Sequence, residues 1–182
     1  MPTLFPSPAP YDDTTRAVLV DAFAALTLDA MALEGVVYLA HRACRGPLTA
    51  ALHPLLSAFA VKLGKYTDAL PEYVAQLGGQ PVGTAEQVAD GHRLGAFPPA
   101  LSDGAALLAA LLPMVRAFLL QCHGVAATAN EQGATEALDL VTRVIAGTQF
   151  YGWQIAAMLV PEDEAAEPPS TPRPPQQPAR GS

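Results

Sequence analysis

The sequence predicts an all-α fold in which four long helices form a bundle, with a long crossover between the second and third helices. Three observations predict it. Hydrophobic residues make up 51% of the chain but aromatic residues only 7%, and this Ala- and Leu-rich composition favours helices over sheets. Apolar residues recur at three- and four-residue steps through four segments, and no alternating strand pattern persists. The one long connection follows the second segment, as in a bundle with a crossover.

The first two helices are predicted to form a hairpin. The first is expected over residues 13–44 and stops at Gly46-Pro47, which cannot continue a helix. The second is expected over 48–77 and ends at Gly78-Gly79, because glycine accepts the left-handed backbone that terminates helices. Pro71 lies inside the second helix, lacks the N–H of one backbone bond, and is expected to bend the helix locally.

The second half of the chain repeats this hairpin after a crossover. Residues 78–100 are rich in Gly and Pro, and 84–90 within them are a possible short helix. The third long helix is predicted over 101–130 and the fourth over 134–160, where Pro161 ends it.

Both ends of the chain differ in composition from the bundle. Residues 1–12 contain four prolines and are predicted to be an extended arm, and residues 13–160 form the bundle domain. Residues 161–182 contain seven prolines and no apolar periodicity, which predicts a disordered tail.

Charge and cysteine content restrict the partners and the compartment. The net charge is −7 and only two lysines are present, so an assembly of such chains repels phosphate backbones and DNA binding is not expected. The start lacks a signal-peptide layout, and the apolar stretch 104–122 carries Arg116, so we expect a cytoplasmic protein without a membrane span. Cys44 and Cys122 are expected to be ordinary thiols rather than a disulfide.

Four side chains could form two halves of a metal site. Asp68 and Glu72 are four residues apart and share one face of the second helix. His53 lies on the same helix, about 22 Å from Asp68 at the usual rise per residue. His41 closes the first helix, so the short turn can bring it near His53. The histidines of one chain could therefore meet the carboxylates of a symmetry mate and hold Fe(II), with Zn or Mn as alternatives.

The spacing alone leaves a simpler interpretation open. Single histidines and carboxylates four residues apart are more often surface groups or satisfied polar groups than metal ligands. His92 and His123 have no partner at ligand spacing and are interpreted in that simpler way.

A longer signature resembles the Dps proteins, the starvation-inducible branch of the ferritin-like superfamily. Its parts keep the family's spacing across residues 41–84: His41-Arg-Ala-Cys-Arg-Gly-Pro47, Leu52-His53, Asp68-Ala-Leu-Pro-Glu72 and Leu77-Gly-Gly-Gln-Pro-Val-Gly-Thr84. The resemblance implies a ferritin-like four-helix bundle. By position it assigns His41 and His53 of one subunit, with Asp68 and Glu72 of its two-fold mate, as ligands of a catalytic iron site.

The resemblance also implies an activity and an assembly. Dps proteins oxidise Fe(II), often with hydrogen peroxide, and store the ferric product in a hollow dodecamer with metal sites at two-fold interfaces. By the same resemblance, Trp153 matches a tryptophan of the fourth helix that packs near the centre; a packed core aromatic is the favoured interpretation, and an electron donor the other. Glu131, Glu136 and Asp139 match the region that lines a three-fold iron pore, although a solvated helix end explains them equally well.

Two departures from the Dps pattern affect the predicted site. Ser57 stands four residues after His53, where the family pattern has Asp, so a second iron is expected to bind poorly or through water. Arg42 and Ala43 replace Trp-Asn after His41, which removes an aromatic and adds a positive charge.

Three functions remain as hypotheses. The leading one is a ferroxidase and iron-storage subunit that protects against oxidative damage. The second is a catalytically weak or inactive Dps-like shell that only sequesters metal. The third is a monomeric helical module without metal.

Overall fold

Five helices make up the fold in a computed structural model that describes residues 2–160. They are α1 (Asp13–Ala43), α2 (Thr49–Gln76), α3 (Ala85–Gly91), α4 (Gly104–Glu131) and α5 (Thr135–Ala157), and no strand occurs between residues 2 and 160. The prediction of a four-helix bundle with a short helix in the crossover is therefore confirmed. The predicted disordered tail, 161–182, lies outside the described residues.

The core lies between two helical hairpins. α1 packs chiefly against α2, and α4 against α5, while α1 also contacts α4. Phe23, Phe59 and Phe118, one each from α1, α2 and α4, are fully buried at the centre. Burying an aromatic or aliphatic side chain of this size contributes about 1.5–3 kcal/mol, and this apolar stripe is what makes each amphipathic helix stable in the bundle.

The end of α2 is fixed by the glycines that the sequence singled out. Gly78 has φ +83°, in the left-handed region. Its N–H donates to the Ala75 carbonyl, and the Gly79 N–H donates to the Val74 carbonyl. These are the two hydrogen bonds of a Schellman motif, so glycine at position 78 satisfies the last carbonyls of α2 without steric strain.

Two helix boundaries differ from prediction by three residues. α4 begins at Gly104 rather than 101, because the Asp103 carboxylate accepts a hydrogen bond from the Ala106 N–H and caps the helix there. α5 ends at Ala157 rather than 160. The last turn tightens there, because the Leu159 and Val160 N–H groups donate to the Ala156 and Ala157 carbonyls, three residues back instead of four.

A buried ion pair holds the crossover against α1. The Asp29 carboxylate is fully buried on α1, and Arg93 follows α3. Arg93 donates to Asp29 through its backbone N–H at 2.7 Å and through its guanidinium at 3.0 and 2.5 Å. Both guanidinium bonds end on Oδ2 and the backbone bond ends on Oδ1, so these charge-assisted contacts engage both oxygens of Asp29 and position the end of α3 on the bundle.

The N-terminal segment lies along the end of α2. Phe5 donates its N–H to the Gly78 carbonyl at 2.8 Å. The Arg16 guanidinium donates to the Phe5 and Leu77 carbonyls at 3.1 and 3.0 Å. Arg16 therefore joins this segment, α1 and the turn after α2.

α4 is the one helix of the described residues that is long and apolar enough to cross a membrane by length and composition. Its Leu107, Leu111, Val115 and Phe118 are fully buried within the bundle. The core helix of a bundle has the same composition, so a single helix of this kind is weak evidence for a membrane span.

Candidate metal centre

His41 and His53 face each other across the turn that joins α1 to α2. His41 lies in the last turn of α1, and His53 in the second turn of α2. Their ring centroids are 3.8 Å apart with an angle of 48° between the rings. His53 is exposed and His41 is half-buried. The hairpin therefore brings together the two imidazoles that the spacing predicted would meet, on a surface open to a further ligand or chain.

The surroundings of His41 favour its neutral form. Burial lowers the pKa of His41, and the neighbouring His53 and the Arg42 guanidinium lower it further. A metal ion binds only the neutral imidazole, so this shift keeps His41 available as a ligand at more acidic pH than an ordinary histidine. Arg42, which stands where the Dps pattern has an aromatic residue, thus acts on His41 through its charge. Its guanidinium lies over the Tyr38 ring, 5.4 Å from the centroid.

We expect Arg42→Ala to raise the pKa of His41, because it removes one of the positive charges that oppose protonation. The unfolded chain protonates this histidine at higher pH than the folded chain does. The His41 contribution to stability therefore falls as pH drops through the ordinary histidine range, and Arg42→Ala should weaken that dependence. An NMR titration of the His41 ring in the metal-free protein measures the shift; Arg143→Ala, on a distant helix, should leave it unchanged. An unaltered His41 titration in Arg42→Ala would contradict this electrostatic assignment.

Asp68 and Glu72 form the second half of the predicted site on the C-terminal half of α2. Both carboxylates are exposed, and no cation lies within ion-pair distance of either among residues 2–160. The Gln76 amide donates weakly to Glu72 at 3.4 Å. Two carboxylates held four residues apart without a counter-charge attract cations.

One chain does not complete a metal site with the residues described. Nowhere in 2–160 do three or more His, Cys, Asp or Glu side chains come close enough to hold a metal ion together. The His pair and the carboxylate pair are thus separate within one chain, and the predicted site built from both would require a second chain.

Trp153 does not pack in the core, so the favoured interpretation of this residue was wrong. Its side chain is 66% exposed on α5. It lines an apolar groove together with Pro54, the residue after His53. The helical pattern placed Trp153 on the fourth helix but could not tell which face of that helix meets the bundle. Ser57 is exposed on α2, one turn beyond His53.

The three acidic residues proposed for a pore lie at the α4–α5 turn and are all exposed. Asp139 pairs with Arg143 at 3.1 Å. Glu136 accepts a hydrogen bond from the Tyr11 hydroxyl at 2.6 Å, which lowers the pKa of Glu136 and contributes most to raising the pKa of Tyr11 to about 12. Sequence reasoning missed Tyr11, and no local pattern could have found a contact across 125 positions.

Both cysteines are free and buried. Burial raises the pKa of the Cys122 thiol to about 12, so it remains protonated and unreactive at neutral pH. This agrees with the prediction of ordinary thiols.

Comparison with known proteins identifies the family. The sequence model of the ferritin-like domain matches residues 29–161. The chain belongs to the ferritin-like family. Within this family it is of the Dps type: residues 41–84 keep the Dps motif spacing, and the relatives described below are Dps proteins. This confirms the resemblance drawn from the motifs.

Three relatives of this ferritin-like chain illustrate the similarity. The DNA protection during starvation protein of Agrobacterium fabrum is 37% identical over 59 residues, which is 32% of this chain and only 36% of that protein. DpsC from Streptomyces coelicolor superposes with a TM-score of 0.83 at 26% identity, covering 87% of this chain and 93% of that one. Dps from Vibrio cholerae, described as a member of the ferritin-like diiron-carboxylate proteins, gives 0.79 at 18%, covering 87% and 99%.

Proposed function

We propose that this protein is a ferroxidase and iron-storage subunit that oxidises Fe(II) at sites shared between two chains. The observation that carries the proposal is the facing pair His41 and His53 at the open end of a hairpin, in a chain of Dps type. Two imidazoles whose ring centroids are 3.8 Å apart, one of them exposed, suit a shared divalent cation better than a structural role.

The carboxylates supply the rest of the proposed site. In a two-fold dimer, Asp68 and Glu72 of one chain would face the His pair of the other, and the symmetry would generate two such sites. Neutral imidazoles bind Fe(II) without making the site too negative, and carboxylate oxygens stabilise the harder Fe(III) product. The same donors accept Zn or Mn, so these ions should compete with iron.

Hydrogen peroxide is the oxidant we propose. Peroxide takes up two electrons, one from each of two Fe(II) ions, and is reduced to the level of water. Ser57 offers a neutral hydroxyl where a second iron would need a carboxylate, so we expect one tightly held iron per site and a second that arrives for oxidation. Oxidation and storage of iron in a dodecameric shell would protect cytoplasmic components from oxidative damage.

The test is an iron titration of the purified protein. We expect anaerobic Fe(II) binding close to one ion per chain, and growth of ferric absorbance that is faster with peroxide than with dioxygen. Zn added first should slow both. An assembly that binds Fe(II) but oxidises it no faster than free iron in buffer would favour the second function, a shell that sequesters metal, which the Ser57 and Arg42 departures make a specific alternative.

DNA binding is not part of this proposal. The charge of −7 and the absence of lysine outside Lys62 and Lys65 oppose contact with phosphates.

The acidic residues at the α4–α5 turn are proposed to attract Fe(II) through their negative charge: Glu131, Glu136 and Asp139. Glu136 also accepts a hydrogen bond from the Tyr11 hydroxyl.

A further inference from the structure

An apolar groove lies between the start of α2 and the end of α5, with a volume of about 580 Å³. Pro54 and Leu55 form one wall, and Phe150, Trp153 and Met158 the other. Phe150 is 52% exposed and Trp153 66% exposed, which is a large apolar area to leave in water.

The aromatic wall of the groove is anchored to the core. The Tyr151 ring stacks on the buried Phe59 ring at 4.7 Å and 18°. Phe150 meets Tyr151 edge-on at 5.2 Å, and Trp153 lies 6.4 Å from Phe150. A rigid aromatic surface of this kind loses little entropy when a ligand binds to it.

We infer that this groove binds the proline-rich segment 168–178 of the same chain. The segment begins eight residues after Val160, and its sequence places Pro169, Pro172, Pro175 and Pro178 at steps of three. Three residues is the repeat of a polyproline II helix, so in that conformation all four prolines lie on one face. Proline stripes of this period bind aromatic-lined grooves because the conformation is already ordered before binding.

The link is long enough for the proline-rich segment to reach the groove, and the spacing of the prolines matches the length of the groove wall. From Phe150 to Met158 the wall runs about 12 Å at the rise of an α-helix. Prolines at steps of three are about 9 Å apart in polyproline II, so two of the four fit along the wall at once. The link of residues 161–168 can span roughly 30 Å when extended, which is enough for the chain to turn back along α5.

Electrostatic attraction between the acidic link and the N-terminus of α2 also favours binding of this segment. α2 begins without a side-chain cap and without an acid in its first turn, so its positive end is uncompensated. The link carries four acids and no base: Glu162, Asp163, Glu164 and Glu167. Because the segment is tethered at the end of α5, its effective concentration at the groove is on the order of millimolar, which offsets a weak intrinsic affinity.

The test uses the full chain and its single tryptophan, Trp153, as the reporter. The variant Pro172→Ser/Pro175→Ser changes two prolines on the stripe, and the matched control Pro168→Ser/Pro174→Ser changes two prolines off it. We expect the stripe variant to shift Trp153 emission to longer wavelength and to increase acrylamide quenching roughly two-fold, as expected when a buried aromatic face becomes exposed. The control should resemble the unmodified protein, and circular dichroism should be the same for all three.

Equal quenching of Trp153 in the stripe variant and the unmodified protein overturns the inference. If acrylamide quenches Trp153 weakly in both proteins, and strongly only after the assembly dissociates, then a neighbouring copy, and not the tail, covers the groove. If Trp153 is freely quenched in both, the groove is empty. Neither result bears on iron oxidation, which is measured separately.

Discussion

The variant His53→Ala/Asp68→Ala is expected to lose rapid Fe(II) oxidation. Each substitution removes one proposed ligand from a different half-site, so every shared site loses both an imidazole and a carboxylate. Groups that only support metal ligands are typically worth 10–100-fold in metal affinity or activity, so loss of two ligands should cost at least about 100-fold. Ferric absorbance after addition of Fe(II) and peroxide measures the rate, and anaerobic titration measures the binding.

A matched control keeps this test specific. His123 and Glu86 are exposed, like His53 and Asp68, but belong to no half-site. His123→Ala/Glu86→Ala should therefore keep the original rate. If the His53→Ala/Asp68→Ala protein oxidises iron as fast as this control, the proposed site is wrong.

Arg93→Ala is expected to produce the largest loss of stability. It leaves the Asp29 carboxylate, which is fully buried, without its charged partner. Removing one member of a buried pair typically costs about 3–5 kcal/mol, and the lower end applies here because the Arg93 side chain is 41% exposed. Urea unfolding of the purified protein measures the change in the free energy of unfolding.

Two comparisons separate the buried charge from other effects of the Arg93 substitution. Arg143→Ala breaks an ion pair whose two side chains are 66% and 64% exposed, and should cost no more than about 1 kcal/mol. Asp29→Leu/Arg93→Leu removes both charges and should recover much of the loss. A destabilisation as small as that of Arg143→Ala would show that Asp29 does not depend on Arg93.

The helices could be predicted because each repeats its apolar residues with the helical period. Phe23 and Phe118, for example, fall on stripes that are fully buried. The end of α2 at Gly78 could also be predicted, since glycine adopts the left-handed backbone that ends a helix. The start of α4 could not be predicted correctly. The apolar pattern suggested a start at residue 101, whereas Asp103 caps the helix and α4 begins at Gly104. The Asp29–Arg93 pair joins residues 64 positions apart and leaves no periodic signal.

The candidate site was predictable to the extent that it is local. A short turn between two helices must bring His41 near His53, and the spacing of Asp68 and Glu72 fixes their common face. Trp153 was misjudged because periodicity shows which residues share a face but not whether a neighbouring element covers it. The Tyr11–Glu136 contact depends on a segment without regular structure, for which the sequence offers no rule.

The direct test of the central claim is a mixing experiment between two inactive proteins. One is His41→Ala/His53→Ala, and the other is Asp68→Ala/Glu72→Ala. In a mixed two-fold dimer, one site loses all four ligands and the other keeps all four.

After the two proteins are dissociated and reassembled together at equal amounts, half of the dimers are mixed and half of their sites are complete. We therefore predict recovery of roughly a quarter of the original Fe(II) oxidation rate, while each variant alone stays inactive. Reassembled mixtures that contain both chains and yet remain inactive would contradict a site shared between subunits.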